Sequence, residues 1–519
     1  RYPDVTDAIN RKMESGVLIL SYTGHGGELG WAHERILENH DINSWSNYDN
    51  MPLFLTATCE FSRFDDPDRT AAGEFVFLNP AGGAIAMLTT VRLVTSGQNK
   101  TLSTNFYKVV FEPINGAMPR LGDICMKTKN LSGNGQNSRK FVLIGNPAQR
   151  LAYPKHLIVT DSINHGVVSG LNDTLKALSK VTISGHIERK SGGKFSSFNG
   201  TIYPTVYDKA SPVATLGNDP ESNIKTFMLQ KNALFRGKAS VINGVFDFTF
   251  IVPKDIAYQP GFGRISYYAE NGETDANGPY EDFVIGGTSS NIEPDNTGPE
   301  VRLFLNDTNF VDGGLTDENP MLLAFIADEH GINTTGNGIG HDIVAILDEE
   351  SDNPIVLNEE YEADRDSYKS GSLQYPFSNL SEGTHKLSLK VWDVYNNSSQ
   401  VFTDFIVAKS ANLALSHVLN YPNPFTTYTE FWFEHNRPGE YLDVQIQVFT
   451  ISGRLIKTIN TNIITQGFRP NPNQWPSLQW DGKDDFGDKI GRGVYVYHLK
   501  VRTPEGEMAN KYEKLVILN

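Results

Sequence analysis

The chain has 519 residues, a formal net charge of -16 and two cysteines. Its length predicts about three or four domains, and its negative charge argues against nucleic acid as a partner. Two cysteines exclude a disulfide scaffold. No apolar stretch approaches the roughly 18 residues of a membrane-spanning helix. Because the sequence begins at Arg1 without an initiator Met or a signal peptide, we expect a processed or truncated piece of a longer protein.

Residues 1–155 alternate short apolar runs with amphipathic segments. The segments RTAAGEFVFL and NKTLSTNFYKVVFEP have the periodicity of helices. Four apolar runs are typical of strands buried in a parallel sheet, namely GVLILSY (16–22), PLFLTAT (52–58), GAIAMLTT (83–90) and KFVLIG (140–145). We therefore predict an α/β domain, in which helices flank a mostly parallel sheet.

Beyond residue 155 the helical periodicity disappears and alternating strand patterns take over, as in FDFTFIVP and HKLSLKVWDVYNN. Turn-rich clusters separate these strands, and the segment SSNIEPDNTGPE (289–300) has the composition of a linker. The pattern predicts three all-β immunoglobulin-like sandwich domains, at residues 156–298, 299–410 and 411–519.

A histidine and a cysteine follow two consecutive strands of the predicted sheet. His25 stands in YTGHGGELGWAHERIL directly after the first strand, and Cys59 follows the second strand 34 residues later. Ligands of open parallel sheets bind outside the carboxyl ends of the strands, so we expect both side chains at one edge. A thiolate attacks carbonyl groups and a neighbouring imidazole moves its proton, so the pair predicts nucleophilic acyl transfer.

The glycines around His25 give the backbone a freedom that a structural histidine seldom needs. We expect the backbone N–H groups of Gly26 and Cys59 to face a developing oxyanion, where one donor is worth about 3 kcal/mol. An inert core position for Cys59 remains the simpler alternative.

The other cysteine and the nearby histidines have plain structural interpretations. Cys125 fits the apolar face of a helix in RLGDICMKTKN, which predicts an inert core residue. His33 and His40 are predicted as surface residues of a short helix between the two strands. The residues alone also allow a zinc site at His25 and Cys59. These two residues would supply only two of the four ligands that zinc usually takes, and no CxxC or HxxxH motif is near to complete the set.

At these residues the sequence resembles the gingipain-type family of caspase-like cysteine peptidases. The segments GHGGELGWAHERIL, PLFLTATCEFSRFDDP and LIGNPAQRLAYP carry the resemblance and join both loops to the closing strand. They are most similar to family members that act as sortases of the type IX secretion system. The resemblance implies that Cys59 is the nucleophile, that His25 is the general acid–base, and that no cofactor is required. It also implies an oxyanion hole formed by the Gly26 and Cys59 amides.

The C-terminal segment carries a second resemblance. YPNPF, SGRLIKTI, WDGKDDFGDKIGRGVYVY and KLVILN look like the immunoglobulin-like C-terminal targeting domain of type IX secretion cargo. An ordinary terminal sandwich explains its glycines and aromatic residues as well. The two resemblances together imply attachment to the bacterial outer membrane at the cell surface. They imply three partners: an outer-membrane β-barrel protein (PorV-type), the C-terminal domains of secreted cargo, and a lipopolysaccharide-type acceptor.

The family carries an acidic residue that precedes the histidine and orients it. Only 24 residues precede His25 here, and Asp4, Asp7 and Glu14 stand in or next to an apparent helix. We therefore expect the orienting acid and the first strands of the sheet in an N-terminal portion that precedes this chain or forms a separate one.

Acidic turns are compatible with structural calcium at residues 65–68, 273–282 and 481–488. None of the three has the spacing of an EF-hand, and solvated turns are the simpler interpretation.

The leading hypothesis is a cell-surface cysteine endopeptidase and transpeptidase, a sortase. It removes the C-terminal signal domain from type IX cargo and transfers the cargo acyl group to an amine of a surface glycolipid. A second hypothesis is a secreted gingipain-like protease that hydrolyses external proteins. A third, from another class, is a non-catalytic surface adhesin or scaffold.

Overall fold

The computed structural model describes residues 2–518 apart from 169–173, 219–221, 291, 293, 309, 337–339, 350–352, 408–412, 414, 436, 438–439, 465–477 and 505. The chain divides into two compact units, one comprising residues 1–153 and 413–519 and the other residues 154–412. Within the described part, none of the helices has the length and apolar character needed to cross a lipid bilayer.

The N-terminal segment, up to residue 153, is mixed α and β. Its helices are α1 (Pro3–Ser15), α2 (Asn39–Ser44), α3 (Ala72–Leu78), α4 (Ser96–Val109), α5 (Leu121–Leu131) and α6 (Gln136–Arg139). Its strands are β1 (Ile19–Thr23), β2 (Gly26–Gly27), β3 (Gly30–Trp31), β4 (Leu37–Glu38), β5 (Leu53–Ala57), β6 (Ala86–Thr90) and β7 (Phe141–Ile144).

Four of these strands form one sheet in the order β1-β5-β6-β7. β1 pairs with β5 and β5 with β6 in parallel, whereas β7 pairs with β6 antiparallel. Every residue of β5 and β6 is buried. Alternate residues of these strands pack into two separate apolar clusters, one that contains Phe106 and one that contains Trp31, so both faces of the strands are covered. Each of the four predicted apolar runs overlaps one strand of this mostly parallel sheet.

The segment between β1 and β5 differs from the prediction. Instead of one short helix, it forms a small sheet in the order β2-β3-β4, followed by α2. A Cβ at Gly30, where φ is 145°, would lie 2.0 Å from the Leu37 carbonyl oxygen. Only glycine allows β3 and β4 to approach so closely. His33 therefore lies in a turn rather than in a helix, and His40 is an exposed residue of α2.

The unit of residues 154–412 consists of strands. They are β8 (His156–Ile163), β9 (Gly166–Val167), β10 (Thr174–Ala177), β11 (Lys180–Arg189), β12 (Gly200–Tyr207), β13 (Ser211–Ala214), β14 (Thr226–Leu229), β15 (Ala233–Val241), β16 (Val245–Ile251), β17 (Gly261–Phe262), β18 (Arg264–Glu270), β19 (Asp275–Tyr280), β20 (Val284–Thr288), β21 (Glu300–Leu305), β22 (Gly314–Thr316), β23 (Met321–Ala327), β24 (Val344–Leu347), β25 (Ile355–Val356), β26 (Tyr361–Arg365), β27 (Ser370–Pro376), β28 (Gly383–Trp392) and β29 (Ser398–Val407). Buried and accessible residues alternate along β11 and β18, as in strands with one face on a core.

The two sandwich segments predicted in this unit share a sheet. β15 pairs with β26 in parallel, with Gly237 opposite Ala363, and this pairing joins the strands on either side into one 12-stranded sheet. One hydrophobic cluster also contains residues of both segments, from Ile158 to Val407. The predicted boundary at residue 298 therefore remains a prediction, as does the number of sandwich domains.

The C-terminal segment consists of two sheets around one apolar core. Its strands are β30 (Leu415–Tyr421), β31 (Thr429–His435), β32 (Tyr441–Thr450), β33 (Leu455–Ile464), β34 (Gln479–Trp480), β35 (Gly493–Arg502) and β36 (Met508–Ile517). They pair in the orders β30-β31-β34 and β33-β32-β35-β36. Phe431, Trp480 and Tyr497 pack in the core, and Gly482 and Gly487 adopt positive φ angles of 71° and 92°, as tight turns require.

We expect the C-terminal segment to lose stability as the pH falls, because it buries a neutral histidine. Burial lowers the pKa of His435 to about 4, while the unfolded chain binds the proton near pH 6.5. Between these values the unfolded state holds more protons, so stability decreases as the pH falls, by about 3 kcal/mol in all. Hydrogen–deuterium exchange of β32 and β33 at pH 7 and pH 5, corrected for the intrinsic pH dependence, measures the loss.

The variant His435→Gln tests the cause. The His435 Nδ1 accepts a hydrogen bond from the Arg437 N–H at 3.2 Å, and a glutamine oxygen can accept in its place without titrating. We expect this variant to exchange almost equally at both pH values. His40→Gln serves as the control, since the His40 side chain is 74% exposed. An unchanged pH dependence in His435→Gln would contradict the prediction.

Candidate active site

His25 and Cys59 lie at the carboxyl ends of adjacent parallel strands. β1 pairs with β5 in a register that puts Thr23 opposite Ala57, and His25 and Cys59 are each the second residue beyond that pair. The pairing continues past the strands, because the Gly24 N–H donates to the Ala57 carbonyl at 3.4 Å. Neighbouring strands are about 4.8 Å apart. The imidazole and the thiol therefore start from adjacent backbone positions at one edge of the sheet.

The Cys59 side chain is half-buried and contacts the loop that follows β6. The Val94 N–H donates a hydrogen bond to the Cys59 Sγ at 3.5 Å. The Cys59 thiol in turn donates to the Val94 carbonyl oxygen at 3.7 Å. The next residue, Glu60, has a φ of 52°, a left-handed conformation that is uncommon outside glycine and concentrated at functional sites. The chain thus turns sharply at Cys59, and an N–H donor faces the sulfur, where it stabilises negative charge.

Buried hydroxyl groups fix the segment around Cys59. Thr56 Oγ1 donates to Thr89 Oγ1 at 2.8 Å, and Thr89 Oγ1 lies 2.8 Å from Ser62 Oγ. All three hydroxyl residues are fully buried. A buried hydroxyl that loses its partner is costly, so this chain of bonds ties β5 and the loop after Cys59 to β6.

Gly26 packs against the residue that precedes Cys59. A Cβ at Gly26 would lie 2.6 Å from Thr58 Oγ1 and 2.8 Å from the Gly30 carbonyl oxygen, whereas a Cβ at Gly27 would meet nothing within 4 Å. Position 26 therefore admits only glycine without a shift of its neighbours. This close approach brings the Gly26 backbone to the segment that carries Cys59, which suits two donors for one oxyanion.

The His25 ring packs against a second histidine. The rings of His25 and His33 are nearly parallel, with centroids 5.4 Å apart. The His25 carbonyl accepts hydrogen bonds from the Tyr22 hydroxyl at 2.6 Å and from the Ala32 N–H at 2.8 Å. Sequence reasoning missed this pair, because it placed His33 on a helix. The only signal was the short distance along the chain between two histidines in a glycine-rich segment.

The acidic residues before His25 do not orient it in this structure. Asp4 and Asp7 are exposed on α1, and the Glu14 carboxylate accepts hydrogen bonds from the Ser46 N–H at 2.8 Å and the Ser46 hydroxyl at 3.0 Å. Within the described part of the chain, no carboxylate hydrogen-bonds to the His25 ring. An orienting acid in an N-terminal portion therefore stays a prediction.

Candidate ligands for a metal ion come together in the unit of residues 154–412, which does not contain His25 or Cys59. Two described groups place their ligand atoms within 4.8 Å of one another: Asp295, Asp328 and Asp393, and Asp295, Glu329 and His330. Burial raises the pKa of Asp393 to about 6. Neither group coincides with the three acidic turns predicted from sequence. In the first of these turns, at residues 65–68, Asp65 forms an ion pair with Arg92 at 2.5 Å. Calcium at those turns stays a prediction.

Cys125 lies on α5, half-buried against the apolar cluster that contains Phe106. Burial raises the pKa of its thiol, which keeps the group protonated and unreactive. These features agree with the structural interpretation of this residue.

Comparisons with known proteins cover the N-terminal segment in one case and more than half of the chain in others. The model of Peptidase family C25 matches residues 1–152. None of the curated proteins searched matches the chain.

Among solved structures, the chain is similar to dimeric latent PorU from Porphyromonas gingivalis, with 30% sequence identity and a TM-score of 0.33 over 79% of this chain and 39% of that chain. It is also similar to the pro- and mature domains of RgpB from the same organism, with 13% identity and a TM-score of 0.26 over 54% of this chain and 57% of that chain. The chain thus spans 39% of the length of the PorU chain.

Proposed function

We propose that the protein is a sortase of Peptidase family C25, whose family model matches residues 1–152. In this proposal it removes the C-terminal signal domain from type IX secretion cargo and transfers the cargo acyl group to an amine of a surface glycolipid. One observation carries the enzymatic part of the proposal: His25 and Cys59 extend from paired positions of adjacent parallel strands.

The first half of the proposed reaction forms a thioester. His25 takes the proton of the Cys59 thiol, and the sulfur attacks the carbonyl carbon of the scissile peptide bond. The N–H groups of Gly26 and Cys59 donate to the oxyanion of the tetrahedral intermediate. His25 then gives its proton to the leaving amine, the C–N bond breaks, and the signal domain departs with a new amino terminus.

The second half decides between transfer and hydrolysis. An acceptor amine loses a proton to His25 and attacks the thioester carbonyl, the C–S bond breaks, and Cys59 recovers the proton as a thiol. The product is an amide on the cargo C-terminus. Water in place of the amine follows the same steps and leaves a free carboxylate, so the same two residues serve a sortase and a protease.

The remaining parts of the proposal concern location and partners. We assign the C-terminal segment, with its own two-sheet core, the role of a targeting domain that attaches the enzyme to an outer-membrane β-barrel protein at the cell surface. An N-terminal portion supplies the acid that orients His25 and the first strands of the sheet. The acceptor is a lipopolysaccharide-type glycolipid, whose amine resolves the thioester.

Mass spectrometry of the processed cargo tests this function. The protein, with its proposed N-terminal portion, is incubated with a cargo protein and an added primary amine, and the new C-terminus of the cargo is identified. An amide to the added amine supports the sortase. A free carboxylate alone at high amine concentration favours the secreted protease. Cargo that stays intact, together with a Cys59 that does not react with a thiol-directed peptide warhead, favours the adhesin or scaffold.

A further inference from the structure

Glu28 bridges the two segments that carry the predicted catalytic residues. It lies at the tip of the histidine hairpin (residues 24–31), between β2 and β3. Its Oε1 accepts a hydrogen bond from Arg63 Nη1 at 2.8 Å, and its Oε2 accepts one from Arg69 Nη1 at 3.1 Å. Both arginines belong to the cysteine loop (residues 58–71), which connects β5 to α3. One carboxylate thus joins segments that are 35 and 41 residues apart in sequence.

A backbone bond reinforces this bridge. The Ala72 N–H, at the start of α3, donates to the Glu28 carbonyl oxygen at 2.6 Å. The Glu28 side chain is only 10% exposed, so water screens its ion pairs less than those of a surface glutamate. Exposed ion pairs contribute little to stability, but charge-assisted bonds to a largely buried carboxylate are strong and directional. Glu28 is therefore built into the junction between the two segments.

The histidine hairpin sets the position of the Gly26 N–H. Gly26 pairs with Trp31 and Gly27 with Gly30 across the hairpin, and Glu28 occupies the turn that closes it. A displacement of that turn is carried through the short ladder to Gly26. The distance between the hairpin and the cysteine loop therefore determines where the two amide donors lie relative to each other.

We propose that Glu28 is a positioning residue of the reaction. Through its two arginine partners it holds the histidine hairpin against the cysteine loop, and this contact aligns the Gly26 amide with the Cys59 amide. The inference rests on the proposed function, because it assigns Glu28 to the same site. Glu28 does not touch the reacting atoms and acts through the two donors of the oxyanion hole.

The acidic residues around Arg63 show what the loss of the Glu28 carboxylate would do. Arg63 Nη1 also lies 3.8 Å from Asp66 and 4.0 Å from Glu60, both within the cysteine loop. Without the Glu28 carboxylate, these two acids are the nearest partners for Arg63. The cysteine loop then closes on itself, and the bridge to the hairpin is lost.

The test compares Glu28→Gln and Glu28→Ala with the wild-type protein, each with its proposed N-terminal portion. Glutamine keeps the size and one acceptor but removes the charge, so we expect kcat for cargo cleavage to fall about 10-fold with little change in KM. Alanine removes both bonds, and we expect a fall of about 100-fold, the cost of a misplaced catalytic group. Asp123→Asn is the matched control, because it removes the carboxylate of an ion pair with Arg120 on α5.

A second measurement separates alignment from folding. Iodoacetamide alkylates a thiol without an oxyanion, so its rate at Cys59, read by mass spectrometry of the Cys59 peptide, should change less than 2-fold. Lower kcat with normal alkylation supports the proposal. Unchanged kcat in Glu28→Ala overturns it, as does a parallel fall of kcat, alkylation and thermal stability. A wild-type protein that cuts no cargo overturns the proposed function and this inference with it.

Discussion

We expect Cys59→Ala to abolish cargo processing and to leave the fold intact. In the proposed reaction, alanine removes the sulfur that forms the thioester, and loss of a catalytic nucleophile costs at least about 10³-fold in kcat. The hydroxyl network beside this residue does not use the sulfur, since it runs through Thr56, Thr89 and Ser62. We therefore expect uncut cargo to accumulate, as measured by the intact mass of the cargo, while circular dichroism remains that of the wild type.

Cys125→Ala provides the matched control for this substitution. It also removes one thiol, but from a half-buried position on α5. We expect it to keep the rate of processing within about 2-fold and to lower thermal stability slightly, because a small core group is lost. Normal processing by Cys59→Ala, or a loss of processing in Cys125→Ala of the same size, would refute the assignment of the nucleophile.

Gly26→Ala is expected to reduce kcat by about 10² to 10³-fold, the usual cost of a lost oxyanion donor. The new methyl group would meet Thr58 Oγ1 at 2.6 Å and the Gly30 carbonyl oxygen at 2.8 Å. The hydroxyl can rotate away, but the carbonyl belongs to the paired strand β3 and cannot. The hairpin must therefore move, and the Gly26 N–H moves with it. Single-turnover cleavage of cargo measures the change in kcat.

Gly27→Ala adds the same methyl group one residue further along. Nothing lies within 4 Å of its Cβ, so we expect kcat within about 3-fold of the wild type. This pair of variants separates a steric effect at one position from a general intolerance of the hairpin to alanine. A wild-type rate in Gly26→Ala would contradict the role of the Gly26 N–H as a donor, and equally low rates in both variants would show a general intolerance of the hairpin to alanine.

The sequence predicted those elements whose signal is local. Four apolar runs coincide with β1, β5, β6 and β7, because strands buried on both faces leave a continuous apolar segment. The same runs placed His25 and Cys59 at neighbouring strand ends, since each residue lies two positions beyond the end of its strand. Their chemical roles stay predictions that the variants above test.

Other features depend on contacts that no short window of sequence contains. β2, β3 and β4 are two residues each, too short to show a period, so the segment was predicted as a helix. The Glu28 carboxylate meets Arg63 only because two loops converge, and charged residues in loops ordinarily indicate nothing beyond solvation. The pairing of β15 with β26 joins residues more than 100 positions apart, and alternation within either strand does not reveal its neighbour.

That last pairing has a consequence for limited proteolysis. A protease that cuts the chain between β20 and β21 severs one covalent connection, but the ladder between β15 and β26 and the common apolar cluster remain. The two fragments should therefore elute together from a sizing column in native buffer and separate only in denaturant. A nick at this place would be visible on a denaturing gel and silent in every measurement made on the native particle.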